Sequence, residues 1–253
     1  MSIVGNYLYG FTRQPFQPAA DLRGLAGAPV RVVTFGDVAA VVSRHPVKPL
    51  MPLRSNLEPH HRIVRRISSE APLLPAAFGH ITQNDREIVD VLRENYDDIR
   101  EELERLNQKC EMGIKLCWNV GNIFEFFVRN NRELRELRDR VFTRREPSLA
   151  EKLQVGEKFE ATLNRERERL TAAVLNPLRQ IASDIVKSTP RQDRIVCKAE
   201  LLIARADVPR FEETLRHIAS RLDAHFTLDY SGPWPPYSFV RLRLQRGSPT
   251  AAA

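Results

Sequence analysis

Glu111-Met-Gly-Ile-Lys-Leu-Cys-Trp118 is the stretch on which the fold turns. Met112, Ile114, Leu116 and Trp118 alternate with Gly113, Lys115, Cys117 and Asn119. Alternation with period two puts the four large apolar side chains on one face of an extended chain, as in a sheet covered on one side. A strand here follows directly on a helical pattern, so the chain starts a second succession of strands and helices. We therefore expect an α+β protein of two domains, 1–109 and 110–245, with 246–253 as a small, polar tail that frays.

Downstream of this strand, Asn122 to Phe142 reads as a helix carrying Phe124, Phe127, Leu134, Leu137 and Val141 inward. Ser148-Leu-Ala-Glu151 is a capping box: the serine oxygen accepts from the third helical amide and the glutamate reaches back. It opens a helical extension, about 148–187, with breaks expected at Gly156 and Pro177. Ile195 to Ile203 alternates as a strand. Asp207 and Pro209 start a helix whose face is Phe211, Leu215, Ile218 and Leu222. Phe226, Leu228 and Tyr230 predict a further strand, and Val240, Leu242 and Leu244 another. Strand, helix, helical extension, strand, helix, strand, strand predicts a ferredoxin-like second domain with a helical insertion.

Upstream, Val4 to Phe11 reads as a strand with Tyr7, Tyr9 and Phe11 on one face. After a linker rich in Pro, Ala and Gly, Val30–Phe35 and Val38–Val42 flank Gly36-Asp37, a hairpin signal. Ser55-Asn-Leu-Glu58 is a second capping-box pattern, followed by a helix to about Glu70. Leu73 to Phe78 reads as a short buried strand or extended segment between prolines, closed by Gly79. Asn84-Asp-Arg-Glu87 opens an amphipathic helix running to Gln108, with Ile88, Leu92, Tyr96, Ile99, Leu103 and Leu106 at three- and four-residue spacing.

Composition narrows the function. The chain has 253 residues, enough for real cores without staples. Its three cysteines, Cys110, Cys117 and Cys197, are odd in number and loosely spaced, which fits neither a disulfide framework nor a zinc site and points to a reducing compartment. The first residues lack the basic and apolar regions of a signal peptide, and no apolar run approaches the ~20 residues that span a bilayer. A cytoplasmic protein without a membrane partner is the expectation.

No constellation of catalytic or cofactor chemistry stands out. There is no phosphate loop, no glycine-rich dinucleotide turn and no nucleophile elbow. His60-His61 point about 100° apart on a helix and lie among Arg62, Arg65 and Arg66, so a solvated basic face is expected rather than a metal site. Cys117 and Cys197 read as structural thiols. The net charge of +7 permits a nucleic-acid partner, the alternative to a purely protein-binding role. The arginines of 129–145 argue against it, because Glu133, Glu136, Asp139 and Glu146 are interleaved with them at helical pairing distances. No enzyme, no metal, no cofactor and no nucleic acid are expected.

The most unusual segment is Tyr230-Ser-Gly-Pro-Trp-Pro-Pro-Tyr-Ser-Phe239. Three prolines fix φ and remove backbone donors, and Trp234, Tyr237 and Phe239 supply large apolar area. It reads as a stiff aromatic bridge that packs on the protein itself, and as a rigid docking edge for a partner.

Gly232-Pro-Trp-Pro-Pro-Tyr-Ser-Phe239 also resembles the C-terminal signature of the gas vesicle protein F/L family. Tyr7-Leu-Tyr-Gly10 is similar to that family's opening strand. Leu74-Pro-Ala-Ala-Phe-Gly79 resembles its central proline-to-phenylalanine-glycine element, with Ala76-Ala77 where relatives commonly carry Leu-Arg. Glu111 to Trp118 resembles its glutamate-led central strand, and Gly156-Glu-Lys-Phe159 stands where the family opens a long charged helix. The resemblance spans residues 7 to 239. It implies a two-domain α+β protein whose second domain is ferredoxin-like with a helical insertion. It implies a non-enzymatic accessory protein of gas vesicles, needed for their assembly and contacting the very apolar major shell protein as well as other gas vesicle proteins. The expected contact residues are Trp234, Tyr237 and Phe239 in the C-terminal segment and Leu92, Tyr96 and Ile99 on the amphipathic helix.

Overall fold

The computed structural model describes residues 3–143 and 146–244; the tail 246–253 and the pair Arg144 and Arg145 lie outside them. The chain forms two compact units, one comprising the chain up to Glu111 together with the segment from Pro233 onward, the other Met112–Gly232. The alternation of Val240, Leu242 and Leu244 suggested that the C-terminal segment continues the second sheet. Instead, from Pro233 it packs with the first unit.

The first unit is built on a sheet of β1 (Val4–Arg13), β2 (Val30–Phe35), β3 (Val38–Pro46), helix α1 (Arg54–Glu70), β4 (Leu73–Pro75) and β5 (Ile81–Thr82), followed by helices α2 (Asp85–Glu94) and α3 (Tyr96–Arg105). Strand order is β2-β3-β1-β4, with β5 also paired to β1. The expected hairpin forms, with Phe35 opposite Val38. Gly36 turns it at φ +58°, and a Cβ there would press within 2.8 Å of the Tyr96 ring. Val38 to Val42 are wholly buried, so this sheet is covered on both faces. Ile63, Val64 and Ile67 of α1 pack with Tyr7, Tyr9, Val30 and Val41, and α2 and α3 close the other side.

Three expectations for this unit change. Tyr7, Tyr9 and Phe11 do not share a face: the β1–β3 register slips between Leu8 and Gly10, and a bulge of one residue swaps the sides of everything beyond it. Tyr7 and Tyr9 face α1, whereas Phe11 joins Leu8 on the wall of a separate groove. The capping box at Ser55 is not used. Leu53 is the N-cap, its carbonyl taking the N–H groups of Asn56 and Leu57, which draws Ser55 into the first turn. Finally, the helix from Asn84 is two helices. Asn84 caps the first as expected, but Asn95, buried, donates its side-chain amide to the Val91 carbonyl and leaves helical geometry. That local bond competes with the helical ladder and bends the chain.

The second unit orders its strands β7-β8-β6-β9, where β6 is Lys109–Trp118, β7 Ala182–Ser188, β8 Ile195–Ala204 and β9 Phe226–Trp234. The opening stretch is the strand expected of it: Met112, Ile114, Leu116 and Trp118 are buried. Helices α4 (Ile123–Asn130), α5 (Arg132–Phe142), α6 (Leu149–Leu178) and α7 (Val208–Ala219) accompany the sheet. The predicted helix over 122–142 divides at Asn131, which adopts extended geometry and caps Leu134 with its side chain. The capping box of Ser148 and Glu151 is present. Helix α6 runs through Gly156, where glycine costs only ~1 kcal/mol relative to alanine, because Val155, Leu163, Leu170 and Val174 are buried along it. It stops just past Pro177, and Ala182–Ser188 is a strand antiparallel to β8 rather than more helix. A short run with Ile185-Val186 at its centre does not distinguish the two periods.

Candidate partner-binding site

The first unit gathers most of the sequence motifs into one place. Burial on α1 follows the spacing 60, 63, 64, 67, which carries His60 into the core along with the three aliphatic residues. His60 has no exposed surface. Its Nδ1 shares a hydrogen bond of 2.8 Å with the Tyr7 hydroxyl and its Nε2 one of 3.2 Å with the Tyr237 hydroxyl. The two hydroxyls can complement either neutral tautomer. The Gly79 N–H donates to Tyr7, and the Phe78 ring meets those of Tyr7 and His60 edge-on or tilted. Tyr9 stacks on His60, shares a 2.9 Å hydrogen bond with Ser43, and accepts from the Leu25 N–H. A methyl group on Gly24 would lie 2.0 Å from the Tyr9 hydroxyl, so a side chain there is excluded by contact.

Burial sets the electrostatics of this cluster. It pushes the His60 pKa down to about 4, with the nearby His61 adding to the shift and the Ala76 carbonyl opposing it. It pushes the Tyr7, Tyr9 and Tyr237 phenols up. The imidazole is therefore neutral near pH 7, a hydrogen-bonding core group. The solvated basic pair expected of His60-His61 is thus half right: His61 is exposed and His60 is not.

Glu111 ties the C-terminal segment to the same place. Its carboxylate accepts from the Ser238 N–H at 2.8 Å and from the Ser238 hydroxyl at 2.9 Å. Beyond the Tyr237–Phe239 turn the backbone finds side chains instead of a ladder: the Phe239 carbonyl accepts from Arg105 and the Arg241 N–H donates to Glu102 at 3.0 Å. This is why Val240, Leu242 and Leu244 do not form the strand their alternation suggested. They line a groove of about 240 Å³ opposite Leu8, Phe11 and Pro75.

The expected contact residues fall in two groups. Trp234 is 38% exposed, Tyr237 is half-buried and Phe239 is buried at 2%. Leu92 and Ile99 have no exposed surface and hold α2 and α3 to the sheet. Tyr96 is half-buried, donates to Asp37 and meets Phe35 edge-on. Only Trp234 of the six presents a large surface. His60 and Glu111 were missed as site residues by pattern reasoning, although the apolar spacing of α1 contained the signal for His60.

Among the described residues no group of three or more His, Cys, Asp or Glu is placed to hold a metal ion. Burial raises the thiol pKa of Cys117 and Cys197, so neither has thiolate character near neutral pH. Two of the four arginines of α5 are matched by acids: Arg132 pairs with Glu136 and Arg138 with Asp139, each at 2.7 Å. No helix is long and apolar enough to cross a membrane among the described residues.

The α+β fold of this chain defines a class of protein already seen in crystals. The crystal structure of the gas vesicle protein GvpF from Anabaena sp. PCC7120 superposes with a TM-score of 0.86 over 96% of this chain and 100% of that one, at 21% identity. That of GvpF from Microcystis aeruginosa gives 0.81 over 94% and 99%, also at 21%. In sequence, gas vesicle protein F of Streptomyces sp. (strain CB03234) is 27% identical over 94% of this chain and all of its own length, and gas vesicle protein L of the same organism 24% over 92% of each. The model of the family described as gas vesicle synthesis protein GvpL/GvpF matches residues 5–241, and this chain belongs to that family. Its role is accordingly associated with gas vesicles, and the family is not known for enzymes.

Proposed function

We propose that this chain is a non-catalytic accessory protein of gas vesicle assembly that holds an apolar segment of the major shell protein, working in the cytoplasm alongside other gas vesicle proteins. The observation that carries the reading is the groove of about 240 Å³ between β1, β4 and the C-terminal segment. Its walls are mainly aliphatic and aromatic, with Leu8, Phe11, Tyr237, Val240 and Leu242 among them. A shell subunit that presents a dry surface to gas aggregates before it assembles. A soluble protein with an apolar groove on a rigid frame shields such a segment at little ordering cost. The hub of Tyr7, His60, Tyr237 and Glu111 is that frame, and in this reading Tyr237 and Phe239 shape the groove while Leu92, Tyr96 and Ile99 hold the sheet behind it. The element order of the second unit and its strand order β7-β8-β6-β9 support the ferredoxin-like reading of that unit.

Co-expression tests the function. The tagged protein should recover the shell protein of the same host in soluble form, and recovery should survive moderate salt because the contact is apolar. Leu242→Asp, which puts a charge into the groove wall, should abolish it. Recovery unaffected by Leu242→Asp would remove the groove from the account. Retention of nucleic acid in place of the shell protein would favour the basic-module alternative.

A further inference from the structure

The outer face of α1 carries arginines that form no ion pair with any of the described residues. Arg62 and Arg65 are exposed, three residues apart and so on one side of the helix, with His61 beside them. Arg62 donates to the Arg23 carbonyl at 3.2 Å, which brings a third guanidinium-bearing residue to the same face. Arg23 itself folds back on the Ala20 and Leu22 carbonyls. Among the described residues none of these three arginines pairs with a carboxylate; Glu58, one turn before Arg62, makes no ion pair with it. Arg66, the next arginine along, is by contrast held at 2.6 Å by Glu70.

An exposed aromatic ring lies against this charge. The Arg65 guanidinium sits 5.1 Å from the centre of the Trp234 ring, a cation–π contact that fixes both groups without using the N–H donors for a carboxylate. The segment that carries the ring contains Pro233, Pro235 and Pro236, which restrict its backbone, and it is tied down at Ser238 by the Glu111 bonds. A rigid aromatic next to uncompensated arginines has the composition of an interface anchor.

We propose that the outer face of α1 and the Trp234 ring form a docking surface for an acidic segment of a protein partner, whose carboxylates pair with Arg62 and Arg65 and whose apolar side chain lies on Trp234. Charge complementarity selects an acidic occupant. Three features favour a peptide over a nucleic acid. Pro233, Pro235 and Pro236 supply no N–H groups with which phosphate sites are usually lined. Arg62 and Arg65 are separated by only ~4.5 Å along the helix axis, too compact to follow a sugar–phosphate backbone. One face of Trp234 is already occupied by Arg65, which leaves the ring less free to stack a base. This face shares no lining residue with the apolar groove, and the proposal stands whether or not the groove holds the shell protein.

Fluorescence anisotropy on the full chain tests it, with a short labelled peptide of glutamate and leucine as probe and a labelled oligothymidylate as comparator, at about 0.15 M ionic strength. Arg62→Ala/Arg65→Ala should weaken peptide binding about tenfold or more, the loss of two charge-assisted pairs, and Trp234→Ala should weaken it severalfold. Arg132→Ala/Arg169→Ala removes the same charge from arginines already paired with Glu136 and Glu166 and should leave binding within about twofold. Thermal unfolding of each variant shows that the fold is kept. Equal losses in both double variants would reduce the effect to net charge and overturn the proposal. Tighter binding of the oligothymidylate, weakened by the same α1 variants, would overturn it in favour of a nucleic-acid surface.

Discussion

The two faces of α1 differ as much as any two regions of this protein. The inner face, His60, Ile63, Val64 and Ile67, has no exposed surface, and its one polar group is bound at both nitrogens. The outer face, His61, Arg62 and Arg65, is solvated and unpaired with any carboxylate among the described residues. Neighbouring residues with the same side chain, His60 and His61, therefore have opposite physics. The inner face binds helix to sheet, and the outer face contributes little to the fold and is left for a partner. On α5, Arg132 and Arg138 make the same point from the other side, since each is matched by an acid in its own unit. What marks a basic surface as a binding surface is missing compensation.

The strongest test of the comparison is Ile67→Ala. Deleting buried atoms from a site covered by β1, β4 and the rest of α1 should cost ~2–5 kcal/mol, read as a shift of the urea midpoint at unchanged slope. A loss below ~1 kcal/mol would show that the inner face is not tightly packed.

Acid probes the polar half of that face. An unfolded histidine takes up its proton near 6.5, whereas His60 in the folded chain does so only at about 4. Between those values the unfolded state binds more protons, so stability is whole above pH 6.5 and falls as pH drops through the window, by ~3 kcal/mol at most from this residue. Asp37, held below the ordinary carboxylate range by the Tyr96 hydroxyl, and Asp85, held there by Arg31, extend the loss to lower pH. His60→Gln should flatten the dependence between pH 6.5 and 4 while leaving the more acidic part in place. An unchanged curve would assign the whole effect to the carboxylates.

The smallest effect belongs to the outer face. Arg62→Ala and Arg65→Ala should each change unfolding free energy by no more than ~0.5 kcal/mol, measured by the same urea titration. A larger loss at Arg65 would mean that its contact with Trp234 is part of the fold, and the distinction between the faces would blur.

Much of the fold was legible because periodicity and caps are local. The hairpin at Gly36-Asp37, the cap at Asn84, the box at Ser148 and the alternation of Met112 to Trp118 each follow from a few adjacent residues. The expected chemistry was less legible. His60 looked like part of a basic cluster because its neighbours are arginines, and only its three- and four-residue spacing to Ile63, Val64 and Ile67 pointed inward. Trp234, Tyr237 and Phe239 were recognisable as an unusual segment, but their sequence does not say which one stays at the surface. Leu92 and Ile99 were chosen for an apolar stripe, and such a stripe serves a core and a docking face equally well.

By itself the sequence determined most of the elements, the α+β class and the family, since each rests on short-range pattern or on motifs in order. Tertiary structure alone decided that Phe11 leaves the face of Tyr7 and Tyr9, that the helices break at Asn95 and Asn131, and that Val240 to Leu244 wall a groove. It alone decided that Glu111 meets Ser238 across 127 positions of chain. In each case the deciding interaction is a bulge, a side chain competing for a backbone group, or a contact between distant segments. Local propensity is too weak to encode such choices, because packing and hydrogen-bond satisfaction between remote residues outweigh it.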